Sequence, residues 1–333
     1  MAEYINIRGQ SIEVVASDPA NPTQGQIWYN STSNTLKGLG VSTAGSWATG
    51  NALNTARQQL AGAGTQTEAL AFGGETTAVT GATEEYDGTS WANNPTGLNT
   101  ARRILAGAGT QTAAVAFGGY ITTNQSATEE YDGSTWASNP TGLNTARRGL
   151  AGCGTQTAGL AFGGYTNPPT AVGNQTATEE YDGSTWTSSP PGLNTARRDL
   201  AGCGTQTVAL AFGGETTAAT GATEEYDGTN WTSVNSMNTA RTAAGGAGIQ
   251  TAALAFGGYN GAPDYTGATE EYNGTSWTSS PVSMSTIRGR LAGTGTQALA
   301  LAFGGALPDN SLTTATEEWT GAGSPLTVTI TAS

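Results

Sequence analysis

The chain has 333 residues, only 11% of them charged, and a formal net charge of −13. Its 12 Lys and Arg, with Lys37 the only lysine, exclude the clustered basic surface that nucleic acid or an anionic membrane requires. Histidine is absent, which removes the commonest general base and metal ligand as well as Ser-His-Asp and Cys-His nucleophiles.

In chain order, residues Met1 to Val15 contain Glu3, Arg8 and Glu13, and no apolar core of signal-peptide length. No stretch has the length of a membrane span, so membrane insertion is not expected. Ile5, Ile7, Ile12, Val14 and Val15 suit short strands, and Asp18-Pro19 and Asn21-Pro22 force an extended or turning path. Gly25-Gln26-Ile27-Trp28-Tyr29-Asn30, a polar Ser31 to Asn34, and Thr35-Leu36-Lys37-Gly38 read as strand, turn and strand. This stretch resembles a hairpin found near the N-terminus of many tailed-phage fibre and virion proteins. The resemblance implies a virion protein whose N-terminal segment attaches it to other virion proteins.

A repeat then takes over. Leu70-Ala71-Phe72-Gly73-Gly74 returns as glycine pairs at Gly118, Gly163, Gly213, Gly257 and Gly304, spaced 45, 45, 50, 44 and 47 residues apart. A period of this length marks a solenoid, a propeller or an array. A Thr-Glu-Glu-Tyr run follows each of the first five pairs, ending at Tyr86, Tyr131, Tyr181, Tyr226 and Tyr272, and the sixth run ends at Trp319. Asp-Gly or Asn-Gly comes next, then a tryptophan five residues after each tyrosine: Trp91, Trp136, Trp186, Trp231 and Trp277. An arginine precedes each following unit: Arg57, Arg102, Arg147, Arg197, Arg241 and Arg288. Glycine pair, tyrosine, tryptophan and arginine in this order resemble the kelch repeat, over about Trp47 to Trp319.

Each unit reads as a four-stranded antiparallel meander. In the second, the strands are expected at Leu105 to Gly109, Ala113 to Phe117, Ala127 to Tyr131 and Thr135 to Ala137. Asp132-Gly133 predicts a tight primed turn between the last two. The fold class expected is all-β: a six-bladed kelch-like β-propeller of four-stranded antiparallel blades. The sixth unit lacks its fourth strand, so the segment around Trp47 is expected to complete it and close the ring. Leu326 to Ile330 is a further strand; joined to Ile27 to Leu39, it would instead make a seventh blade. The domains expected are an N-terminal segment at 1–40, the propeller at 41–322 and a C-terminal strand at 323–333.

The Glu pairs, such as Glu129/Glu130 and Glu179/Glu180, recur in every unit, which a single active site does not need. Adjacent strand residues point to opposite faces, so one Glu of each pair is expected to meet a repeat arginine inside the sheets. Arg103, Arg148 and Arg198 form a second arginine position filled only in some copies and read as exposed. Cys153 and Cys203 stand where other copies have alanine and read as small buried residues, too far apart to bridge.

The segments after the glycine pairs vary most, and in kelch-like propellers that rim binds partners. Tyr120, Tyr165, Pro168, Pro169, Tyr259, Asp264 and Tyr265 are the candidate binding residues there. The function expected is that of a non-enzymatic virion structural protein, a tail fibre or surface propeller, recognising a host surface glycan or protein. No catalytic residue, metal or cofactor is assigned, and nucleic acid is not a partner; homo-oligomerisation stays open. The alternatives are an architectural capsid or tail decoration protein, and a polysaccharide-cleaving enzyme using loop carboxylates such as Asp264 or Asp309.

Overall fold

The computed structural model describes residues 12–20, 22, 25–41, 44–166, 173–261, 264–323 and 325–330. Every regular element among them is a strand. The chain divides into two compact units, one of residues 1–45 with 321–333, the other of residues 46–320.

In the smaller unit, Ile27–Asn30 and Thr35–Val41 form the expected hairpin, with Asn30 opposite Thr35. Glu13–Val15 pairs in parallel with Ile27–Asn30, and Pro325–Ile330 pairs antiparallel with Thr35–Val41. The C-terminal strand is therefore part of this sheet. Asp18 anchors it: its carboxylate accepts from Lys37 Nζ at 2.6 Å, Asn30 Nδ2 at 2.7 Å and Trp28 Nε1 at 3.1 Å. These bonds, that from Lys37 first, hold its pKa down to about 2.

The larger unit is built from the repeat. Six four-stranded antiparallel sheets of one design occur among its described residues. In the first, Ala61–Gly64, Ala69–Phe72, Thr83–Tyr86 and Trp91–Asn94 pair in sequence order. The second sheet, Ala106–Gly109, Ala114–Phe117, Thr128–Tyr131 and Trp136–Asn139, has the expected strands shifted by no more than two residues. The sixth sheet takes its fourth strand from the other end of the sequence. Ser46–Gly50 pairs antiparallel with Thr316–Thr320 and sets Trp47 opposite Trp319.

The Asp-Gly turns differ from expectation. Four residues, Asp132 to Thr135, join the strands, and Gly133 has φ +89° whereas Asp132 is not in the positive-φ region. A two-residue primed turn needs positive φ at both central positions. Here the Asp132 carboxylate instead accepts from the N–H groups of Ser134 (2.9 Å) and Thr135 (2.7 Å), closing the longer loop.

Packing between sheets explains the repeat. The small residues of each first strand admit a phenylalanine from the preceding sheet: a Cβ on Gly107 would lie 2.4 Å from Phe72 Cζ. Phe72 in turn meets Trp136 with ring centroids 4.9 Å apart. The Trp136 indole donates to Thr83 Oγ1 at 2.9 Å, again in the preceding sheet, and Trp47, Trp91, Trp186, Trp231 and Trp277 each make the equivalent bond. Gln111 Nε2 donates to the carbonyls of Ala69 and Tyr86 one sheet back, and Gln66 does the same to Ala300 and Trp319 of the sixth sheet.

The glutamate pairs are divided as expected. Glu84, Glu129, Glu179, Glu224, Glu270 and Glu317 are buried and ion-paired with Arg57, Arg102, Arg147, Arg197, Arg241 and Arg288, all fully buried. Burial lowers Arg57 and Arg288 to about 10 against the opposing pull of Glu84 and Glu317. The second glutamate accepts a tyrosine hydroxyl from the next sheet: Tyr131 to Glu85, Tyr181 to Glu130, Tyr226 to Glu180 (2.6 Å) and Tyr272 to Glu225 (2.8 Å). Tyr86 donates to Glu318 at 2.6 Å. Where the sixth copy has Trp319, the indole donates to the Gln297 carbonyl instead. Cys153 and Cys203 are free, buried thiols, and burial pushes Cys203 up to about 12.

Candidate functional site

The site grows out of the register next to the glycine pairs. Gly118 and Gly119 hold φ +65° and +105°, a left-handed turn open to glycine. The turn sends the chain back so that the residue after the pair faces the residue after the buried arginine. Isolated bridges set Gln58 opposite Glu75, Arg103 opposite Tyr120, Arg148 opposite Tyr165 and Arg198 opposite Glu215. Thr242 faces Tyr259, and Gly289 faces Ala306, in the same way.

One residue further on, Gln59, Ile104, Gly149, Asp199, Ala243 and Arg290 all adopt φ between +50° and +62°. Their backbones join hand to hand. Ile104 N–H donates to Gln59 O, Gly149 to Ile104, Asp199 to Gly149, Ala243 to Asp199, Arg290 to Ala243 and Gln59 back to Arg290, each at 2.7–3.0 Å. Five residues that are not glycine accept a left-handed conformation, which an L side chain rarely does unless its surroundings fix it. Here the fixing agent is this cycle of six hydrogen bonds. The same six residues line a cavity of about 760 Å³, within the usual range for small-molecule sites.

The cavity mouth carries charge. Arg103 lies 5.5 Å from the Tyr120 ring centroid and Arg148 4.5 Å from it. Arg148 and Arg198 lie 5.0 and 5.1 Å from the Tyr165 centroid, and Arg290 lies 5.2 Å from that of Tyr259. Guanidinium groups from neighbouring repeats thus alternate with tyrosine rings. Arg103 pairs with Glu75 at 2.6 Å, and Arg198 with Glu215 at 2.5 Å and Asp199 at 3.6 Å. Arg148 and Arg290 have neutral partners: Nη1 of each donates to Asn124 Oδ1 (3.0 Å) and Gln58 Oε1 (3.1 Å) respectively. Asp199 lines this concave surface with its side chain partly covered, and desolvation raises its pKa to about 6 in spite of Arg198. Glu215 raises it further, while Arg148 and Arg290 pull it down.

The expected binding residues fall as follows. Tyr120 and Tyr165 support the arginines. Tyr259 packs against Tyr265 with the rings tilted by 48° and centroids 4.2 Å apart, its hydroxyl donating to that of Tyr265 at 2.8 Å, and Tyr265 donates to Asn310 Oδ1. Tyr259–Gly261 and Asp264–Tyr265 pair as a short hairpin, which gives Asp264 a backbone place. Pro168 and Pro169 lie outside the described residues. Arg103, Arg148 and Arg198, read as exposed, are instead partly covered, with Arg103 27% and Arg198 30% accessible. The sequence signal for them was pairwise. Arginine occurs in a copy only where tyrosine or glutamate follows the glycine pair, as in Arg148 with Tyr165 and Arg198 with Glu215. Asp199 and Arg290 carried no such signal, being single departures at a position otherwise filled by Gln, Ile, Gly or Ala.

Among the described residues no three His, Cys, Asp or Glu side chains group as metal ligands. No family model matches the chain, and no curated protein is similar to it in sequence.

Proposed function

We propose that residues 46–320 form a six-bladed, kelch-like β-propeller and that the chain is a non-enzymatic structural protein of a tailed-phage virion. The cycle of backbone hydrogen bonds from Gln59 through Arg290 and back supports ring closure, as does the pairing of Ser46–Gly50 with Thr316–Thr320. The hairpin of Ile27–Asn30 and Thr35–Val41 supports the virion reading through its resemblance to phage fibre hairpins. In this reading the smaller sheet unit joins the protein to other virion proteins, and the propeller presents the cavity mouth to a host surface glycan or protein.

One observation carries the recognition role. The core positions repeat almost unchanged, whereas the mouth positions differ from copy to copy and set Arg148, Arg198, Arg290, Asp199, Tyr165 and Tyr259 around one cavity, with Tyr120 behind Arg148. A scaffold that needs only to fill space has no use for that asymmetry. The test is adsorption of the labelled full chain to host cells, beside the Y120A/Y165A variant. Saturable adsorption that the variant loses supports recognition through this mouth. Absence of adsorption by the intact chain would favour an architectural role on the particle.

A further inference from the structure

The placement of positive charge goes further than a general binding rim. This acidic chain has 12 Lys and Arg in all. Six arginines are locked inside the sheets against glutamates. Lys37 is held by Asp18 in the smaller unit, and Arg8 lies outside the described residues. The four that remain, Arg103, Arg148, Arg198 and Arg290, all lean on tyrosine rings, and all but Arg103 line the cavity. Two of these, Arg148 and Arg290, line it with side-chain amides as their partners and no carboxylate within ion-pair distance among the described residues.

We propose that the cavity binds a sugar ring bearing a carboxylate, an acidic glycan unit of the uronic-acid kind, with Arg148 and Arg290 supplying the charge that selects it. The inference rests on the reading of this mouth as a recognition face. Three features choose the ligand class. A guanidinium with free donors is suited to the planar carboxylate. Asp199, Glu215, Gln59 and Thr242 in the same lining offer acceptors for hydroxyls, which a simple anion lacks. The same carboxylates oppose a doubly charged phosphate, and the net charge of −13 opposes an extended polyanion, whereas a single carboxylate amid hydroxyls meets both halves of the lining.

The experiment is a titration of the full chain, followed by NMR or calorimetry, with glucuronic acid, glucose and inorganic phosphate as separate probes. Saturable glucuronate binding, at least about tenfold tighter than glucose and weakened about tenfold in both R148Q and R290Q, supports the proposal; tenfold corresponds to about 1.4 kcal/mol. Equal affinity for glucose, or phosphate binding as tight as glucuronate, would overturn it. The unfolding midpoints of R148Q and R290Q, measured alongside, are expected to stay at the parent value. Because a misfolded variant would mimic lost binding, R148K provides a second arm, in which charge is kept but the fork is lost and binding is partly restored. Adsorption to host cells that excess glucuronate leaves untouched would sink the acidic-sugar inference and leave the recognition reading standing. Glucuronate binding by a chain that adsorbs to no host cell would do the reverse.

Discussion

Arg147 and Arg148 are neighbours in sequence and live in opposite surroundings. Arg147 has no exposed surface, donates to Glu179 at 2.6 Å, and has equivalents in all six repeats. Arg148 stands at the cavity mouth between two tyrosines, donates from its side chain to the Asn124 amide oxygen, and has arginine counterparts in only two other copies at that position. The chain has used one residue type for two tasks. Inside the sheets a guanidinium is fixed by a buried carboxylate and cannot meet a ligand. At the mouth it is held by ring faces and a neutral acceptor, with no carboxylate within ion-pair distance among the described residues.

The largest expected effect follows from breaking the inner pair. Arg147→Met leaves Glu179 charged in a dry interior and should cost about 3–5 kcal/mol, seen as a fall in the denaturant midpoint. The buried pair is not itself ideal, since Nε of Arg147 finds no hydrogen-bond partner among the described residues. Replacing both partners, Arg147→Met with Glu179→Met, should recover only part of the loss, because Glu179 also accepts from the Asn144 N–H (2.6 Å) and Nδ2 (2.9 Å) and those donors would lose their partner. Arg148→Gln should change stability by less than about 1 kcal/mol, as for other partly exposed charges. If R148Q unfolds as easily as R147M, the division between the two arginines is wrong.

Next in size is the sheet contact at Gly107. Gly107→Ala places a methyl carbon 2.4 Å from Phe72 Cζ, which must move against Trp136. An overpacked core of this sort costs about 1–3 kcal/mol, readable in the same midpoint. Glycine here serves close approach rather than a special φ.

The cavity lining should show a pH signature of its own. Asp199 is raised from 3.8 to about 6 by desolvation, with Arg198, Glu215, Arg148, Arg290 and Tyr259 as the charged or titratable groups around it. A carboxyl with a raised folded pKa binds its proton more tightly folded than unfolded. Stability from this group therefore rises as pH falls from about 7 through 6 towards 4, and is lost again as pH rises through 6. Asp199→Asn should remove that slope and add about 1–2 kcal/mol at pH 7.5, reduced from the full shift because the side chain is partly solvated. The difference between parent and variant, measured by denaturation at pH 5 and pH 7.5, isolates it from the other carboxylates. An unchanged slope in the variant would mean that Asp199 is not desolvated.

The contrast between core and mouth also explains how far the sequence could be read. The sheet order, the borrowed strand at Trp47 and the pairing of one glutamate with each arginine were all legible, because each rests on a side chain recurring at a fixed register. The Gln111 and Thr83 links were equally periodic and were missed, since neither residue type announces a role without a neighbouring sheet to bond. The mouth was legible only as a rim of variable loops. Arg148 acquires its meaning from Tyr120, which belongs to the preceding repeat, and from Asn124 in that same repeat. Such contacts depend on how two repeats face each other, which no single repeat encodes.

The smallest effect tests the same contrast inside the core. Glu130 accepts the Tyr181 hydroxyl, and Tyr181→Phe should cost about 0.5–1.5 kcal/mol, the usual net value of such a bond. Glu271 stands at the equivalent position one sheet before Trp319, which has no hydroxyl to give it, and burial alone raises its pKa. Glu271→Gln should thus be close to neutral at pH 7, or slightly stabilising, while Glu130→Gln destabilises. The comparison needs three equilibrium unfolding curves, those of the parent, E130Q and E271Q. If E271Q loses as much as E130Q, the tyrosine hydroxyl is not what holds these glutamates, and the single break in the repeat at Trp319 carries no energetic meaning.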